Sequence, residues 1–178
     1  YSSAASDVYK RQELKLIPEY IFITHGHIDH AGAAKELANK LNLNIIGPHI
    51  DDSFLLESLE IQGQMYGMSA QNFTPDKWLK HEDSISFGNQ TLEIKHCPGH
   101  APGHVIGINH KAKKIIAGDV LFNGSIGRTD LPKGNYQDLI DSINHHLLTL
   151  DDTYIVHCGH GPDTTIGHER KTNPFLNA

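Results

Sequence analysis

Short apolar runs that stop at a histidine or an aspartate are the feature of this chain that most limits what it can fold into. "YIFIT" runs into His25, "TLEI" is followed by His96 and His100, "KIIAG" stops at Asp119, and "YIVHC" leads to His160. Runs of four or five residues rich in β-branched and aromatic side chains suit buried strands and are too brief for helices. A sheet whose strands end in this way offers polar side chains from several loops, where a rigid scaffold can make them converge.

The segments between these runs change period. After Asp29, "HAGAAKELANKL" brings Ala33, Leu37 and Leu41 round every four residues, so a helix is expected from about Asp29. "NIIG" reads as a strand, and "DDSFLLESLEIQGQMYG" as a helix capped by Asp51 or Asp52. "NQTLEIKHC" and "HVIGINH" read as two strands on either side of a Pro-Gly loop, followed by a strand in "KKIIAGD". A helix is expected in "YQDLIDSINHHLLTL", where Leu139, Ile143 and Leu147 recur at spacing four, and "YIVHCGHG" closes the series as a strand entering a polar loop. Mixed strands and helices place the chain in the α/β (α+β) class. With 178 residues, 38% of them hydrophobic, one domain over residues 13–178 can bury its own core. Residues 1–12, "YSSAASDVYKRQ", follow neither period and read as a non-native tail.

Charge and cysteine content narrow the partners. The formal net charge of -6, with Lys and Arg scattered singly, provides no footprint for nucleic acid or an anionic membrane, and a small molecule is the expected partner. No apolar run approaches the ~18 residues of a spanning helix. Cys97 and Cys158 have no CxxC partners, which points to a reducing cytoplasm, although a signal peptide ahead of a lost native start stays open.

In "HGHIDH", His25 and His27 leave an extended segment on the same side, and the turn into a helix then offers Asp29 and His30. A lone H-x-H is weak evidence, but the full H-x-H-x-D-H after an apolar strand points to metal binding. Imidazoles and carboxylates in this ratio suit Zn²⁺ first, with Fe or Mn as alternatives.

"THGHIDHAG", "HCPGHAPGH", "AGD" and "GHGP" together resemble the metallo-β-lactamase superfamily. "GSIGRTDLP" and "GHGPDTTIGHERKTNPFL" resemble its short hydrolases related to type II glyoxalases. The resemblance implies an αββα sandwich, here with the N-terminal strands partly missing, and two divalent metal ions. It assigns His25, His27 and His100 to the first metal, Asp29, His30 and His160 to the second, and Asp119 to both. Asp29 and Asp119 become the catalytic carboxylates, beside a metal-bridging hydroxide that attacks an acyl thioester such as S-D-lactoylglutathione. A thiolate leaving group needs little acid assistance. Two other enzyme readings share the scaffold: a mononuclear-iron persulfide dioxygenase, and a hydrolase of another small ester or thioester. His96, His104, His110 and His157 read as supporting or exposed side chains, His145 and His146 as surface, and both cysteines as small buried groups. For Arg128 two readings stand: a loop ion pair with Asp130, or a cation that holds an anionic part of the substrate.

Overall fold

The computed structural model describes residue 13 and residues 15–176. The non-native tail expected over residues 1–12 lies outside the described residues. Contacts divide the chain into two compact units, residues 1–78 and residues 79–178. Among the described residues, no helix is long and apolar enough to cross a membrane.

The first unit holds a parallel strand pair, β1 (Tyr20–Phe22) and β2 (Asn44–Ile46), in the register Tyr20 to Asn44 and Phe22 to Ile46. The ladder is extended by Ile23 N–H donating to the Ile46 carbonyl at 3.0 Å. The helix expected from Asp29 arrives in two pieces, α1 (Ile28–Ala31) and α2 (Ala34–Leu41), interrupted at Gly32 and Ala33. Asn42 ends α2 in the left-handed region, which asparagine tolerates better than most residues.

The second expected helix is also divided, into a 3-10 turn (Ile50–Asp52), α3 (Ser53–Leu56) and α4 (Leu59–Tyr66). Ser58 and Gln62 mark the break: the Ser58 hydroxyl and the Gln62 amide both donate to the Leu55 carbonyl. Neither Asp51 nor Asp52 caps the helix with its side chain. The His49 ring instead accepts from Asp51 N–H, and the Asp52 carboxylate serves elsewhere. Ile23, Ile28, Ala31, Leu56 and Leu59 form the core of this unit, and truncating either fully buried leucine to alanine costs about 2–5 kcal/mol.

The second unit is built on a six-stranded sheet in the order β10-β9-β6-β5-β4-β3. Its strands are β3 (Ser84–Phe87), β4 (Gln90–His96), β5 (Val105–Asn109), β6 (Lys114–Gly118), β9 (Ile155–Cys158) and β10 (Thr164–Thr165). Only β6 and β9 pair in parallel, and the other four pairings are antiparallel. A separate hairpin joins β7 (Leu121–Phe122) to β8 (Ser125–Ile126).

Helix α5 (Tyr136–His146) starts where the Asn135 side chain accepts from the N–H groups of Gln137 and Asp138. It buries Leu139 and Ile143 in one cluster with Ile106, Ile108, Ile115 and Val156, while the buried Ser142 hydroxyl donates to the Pro98 carbonyl. Helix α6 (Ile166–Thr172), capped by Thr165, was not expected from the sequence, nor were β3 and the β7-β8 hairpin. All three are short and have only one or two apolar residues facing inward, so their periods are weak.

Candidate metal centre

In the first unit, β1 and the residues after it deliver the H-x-H-x-D-H motif into the start of α1. His25 is fully buried, and its Nδ1 lies 3.1 Å from the Thr24 hydroxyl. His27 occupies the N-cap of α1 in an extended conformation, and its imidazole makes no capping bond to that helix. The His25 ring lies edge-on to His27 at 4.9 Å between centroids and 4.1 Å from the His30 ring. His30 Nε2 is in turn 3.6 Å from Asp29 Oδ2. Three imidazoles and a carboxylate thus crowd one loop, an arrangement with little value to an apolar core.

Gly26 lets this loop close. A Cβ there would lie 2.7 Å from Leu55 Cβ and 3.3 Å from the Asp52 carbonyl oxygen, so a side chain has no room. Its N–H donates to Asp52 Oδ2 at 2.8 Å, and Asp52 is fully buried. A polar surface groove of about 360 Å³ in this unit is lined by residues such as Lys35, Asn39 and Asp76, and it contains none of the predicted site residues.

In the second unit, His100, Asp119 and His160 come together from three different loops. His100 Nε2 is 3.5 Å, and His160 Nε2 3.4 Å, from Asp119 Oδ2. His100 and Asp119 are buried, whereas the His160 side chain is 55% exposed, which leaves this side of the cluster open to solvent.

One hydrogen bond fixes the orientation of the His100 ring. Its Nδ1 is 2.8 Å from the Arg128 carbonyl oxygen, which can only accept, so Nδ1 donates there and Nε2 is the ring nitrogen turned toward Asp119. A ring nitrogen held this way by a backbone carbonyl is the usual arrangement for a metal-binding histidine. At His104 the polarity is reversed: its Nε2 accepts the Asp119 N–H at 3.0 Å, which fixes the backbone that carries the carboxylate. The ring is fully buried, in keeping with the supporting part expected of it.

Two glycines allow the loops to approach so closely. Gly99, at φ +136°, places its α-carbon where a Cβ would lie 2.4 Å from the backbone of Leu139 in α5. At Gly127 a Cβ would overlap the Asp119 carbonyl oxygen and sit 3.1 Å from His100 Cβ. "CPGH" and "SIGR" therefore owe their glycines to the packing of the donor-bearing loops.

The other candidates have visible partners of their own. His96 Nε2 donates to the Pro102 carbonyl at 2.7 Å, His110 bridges Glu93 and Tyr154, and His157 meets Asp163 at 2.7 Å. Arg128 forms a two-pronged ion pair with Asp130, both contacts at 2.7 Å, on side chains that are 63% and 69% exposed. That guanidinium pulls the Asp130 carboxyl down to about 2. Burial, and then the nearby Asp163 carboxylate, push the Cys158 thiol up to about 11, so it is not a ready thiolate donor. Burial raises Cys97 as well.

Sequence reasoning missed two carboxylates that organise these loops. One is Asp52, taken for a helix cap. The other is Glu169 of α6, which is fully buried: Oε1 accepts from the Thr164 hydroxyl, and Oε2 from Gly124 N–H and the Asn173 amide. The only signal for Glu169 was the run Thr165 to Glu169, in which a threonine able to cap a helix precedes an isoleucine.

The donors fit a divalent cation by their chemistry. Imidazoles and carboxylates without thiolates are borderline-to-hard ligands suited to Zn²⁺, Fe or Mn. His25, His27, Asp29 and His30 belong to groupings able to hold a metal ion, and so do His100, Asp119 and His160.

Comparison with known proteins agrees with this chemistry. The family model of the metallo-beta-lactamase superfamily matches residues 5–160. Hydroxyacylglutathione hydrolase GloC of Haemophilus influenzae is 45% identical over 96% of this chain and 82% of its own length. The probable metallo-hydrolase YqgX of Bacillus subtilis is 38% identical over 93% of this chain and 79% of its own. Among solved structures, TTHA1623 in a di-iron-bound form matches with a TM-score of 0.90 at 36% identity, covering 98% of this chain and 86% of that one. BLEG-1 B3 metallo-beta-lactamase matches with a TM-score of 0.89 at 35% identity, covering 98% and 85%. The chain belongs to the metallo-β-lactamase superfamily, has its mixed α/β fold, and is a metallo-hydrolase.

Proposed function

We propose that residues 13–178 act as one domain that hydrolyses small acyl thioesters of the S-D-lactoylglutathione type. In this reading His25, His27 and His100 hold one divalent cation, Asp29, His30 and His160 hold a second, and Asp119 serves both. Zinc is the first candidate metal, and the di-iron form of TTHA1623 keeps iron in view. What carries the reading is a thiolate-free donor set, with His100 Nδ1 held by a backbone carbonyl, in a chain 45% identical to a protein named hydroxyacylglutathione hydrolase.

Bound divalent cations supply Lewis acidity toward the acyl oxygen and lower the pKa of water toward ~7. The chain's own residues do the positioning. His104 anchors the backbone of Asp119 and the Arg128 carbonyl orients His100. In this reading the Arg128 guanidinium, paired with Asp130, exchanges that partner for a substrate carboxylate. Asp29 and Asp119 supply the negative charge that balances the cations. The leaving thiolate, with a pKa near ~8.5, departs without a strong general acid.

The test is metal analysis combined with thioester hydrolysis by purified protein. About two metals per chain, with S-D-lactoylglutathione hydrolysis well above a His27→Ala control, are expected. Activity no greater than that control would overturn the reading, as would a single iron per chain with oxygen uptake on glutathione persulfide.

A further inference from the structure

We infer that Asp52 is a positioning residue for the H-x-H segment: its buried carboxylate holds the peptide between His25 and His27 so that both imidazoles face one cation. The inference rests on the metal reading above and adds to it a residue from another element, the 3-10 turn 27 positions downstream of His25 in the sequence.

The geometry is specific. Peptide 25–26 presents its N–H, from Gly26, to Asp52 Oδ2 at 2.8 Å, a charge-assisted bond away from water. The two histidines sit immediately on either side of that nitrogen's residue, so a rotation of the peptide swings both rings together. The turn presses on the same spot by shape as well, since the Asp52 carbonyl oxygen and Leu55 Cβ leave no room for a Cβ on Gly26. Asp52 stands at the N-cap of α3 but makes no side-chain capping bond there, and its Oδ2 accepts from Gly26 instead. A buried carboxylate carries a desolvation cost that an asparagine or serine cap would avoid, and that cost is offset where a charged acceptor orients ligands.

The experiment measures zinc affinity by competition with a chromophoric chelator in folded protein, for wild type, Asp52→Ala, Asp52→Asn and Leu59→Ala. Asp52→Ala is expected to weaken zinc binding roughly 10- to 100-fold, the range for removing a group that supports a ligand. Asp52→Asn retains an oxygen acceptor of the same size and should recover most of that loss. Leu59→Ala removes a fully buried side chain from the same core and serves as a destabilised control whose affinity should stay near wild type. Asp52→Ala with wild-type affinity, or Leu59→Ala with an equal loss, would sink the positioning role while leaving the metal reading intact. A wild-type chain that binds no zinc would end both. Should the alanine variant fail to fold, amide exchange in the wild-type protein decides: slow exchange of the Gly26 N–H supports the inference, and exchange at the rate of an open loop refutes it.

Discussion

Replacing Glu169 tests whether the loops bearing Asp119 and His160 are held by a buried carboxylate or by the surrounding apolar packing. Three donors from three segments end on this side chain: Thr164 in β10 at 2.5 Å, Gly124 in the β7-β8 turn at 3.0 Å, and Asn173 after α6 at 2.7 Å. Asn173 also donates to the Ser125 carbonyl at 3.0 Å, and so keeps one bond when Glu169 is lost. The Thr164 hydroxyl and the Gly124 N–H lose the acceptor shown here. At about 1–3 kcal/mol for each buried donor left without an acceptor, and less for Asn173, Glu169→Ala should cost roughly 4 kcal/mol. At ~2–4 °C per kcal/mol for a chain of this size, the melting temperature should fall by on the order of 10 °C.

Glu169→Gln separates hydrogen bonding from charge. A glutamine oxygen in the Oε2 position still accepts from Gly124 and Asn173, and its amide can donate to Thr164, whose hydroxyl turns round to accept. Only charge assistance is lost, about 1 kcal/mol. Urea unfolding of the metal-free proteins, followed by circular dichroism, gives both numbers. If the glutamine variant is as damaged as the alanine variant, or the alanine variant lies within about 1 kcal/mol of wild type, the hydrogen-bond account of these loops is wrong.

Gly99→Ala should be among the most damaging single-methyl additions in the second unit. Its φ of +136° and a Cβ 2.4 Å from the Leu139 backbone require α5 or the His100 loop to move, and urea titration should show a loss of more than ~4 kcal/mol. Arg128→Ala should leave the urea unfolding midpoint unchanged, because the Asp130 ion pair is largely exposed. The same change should release the Asp130 carboxyl from about 2 toward its ordinary value, as read by carbon-detected NMR titration. If Arg128 holds a substrate carboxylate, KM rises while kcat is kept. Burial, followed by His81, Lys95 and His145, lowers the pKa of His146, with Glu93 opposing. A histidine lowered on folding leaves stability intact above its unfolded value near ~6.5 and erodes it as pH falls through the folded value. The metal-free protein should therefore lose stability on acidification below about pH 6.5, and His146→Gln should flatten that part of the profile. An unchanged profile would remove His146 from the account.

What could be read from the sequence follows from how each residue advertises itself. His25 to His30 are dense and chemically costly in any core, so their purpose shows through composition and spacing alone. Strands β1, β4, β5, β6 and β9 were legible because each carries a continuous or alternating apolar run. The long helical readings failed at their middles, since the breaks at Gly32 and Ser58 depend on bonds and contacts that periodicity does not register. Strand β3 was overlooked although Gly88 and Asn89 separate "SISF" from "QTLE" as a tight turn should, and the backbone pairs Phe87 with Gln90 across them.

The supporting carboxylates were hidden for a deeper reason. Asp52 and Glu169 stand at or near helix starts, where acidic residues are common for reasons of capping and dipole, so local sequence explains them cheaply and wrongly. Burial is what distinguishes them. Both are fully buried in the folded chain and both spend their oxygens on backbone or side-chain donors from other segments. A ligand can be recognised by its own chemistry, but a residue that holds a ligand in place is defined by what lies across from it, and that partner is known only once the chain has folded. The same reasoning makes the Gly26 N–H and the Asp119 N–H more informative than the imidazoles themselves: each reports which part of the scaffold pays the cost of gathering the donors.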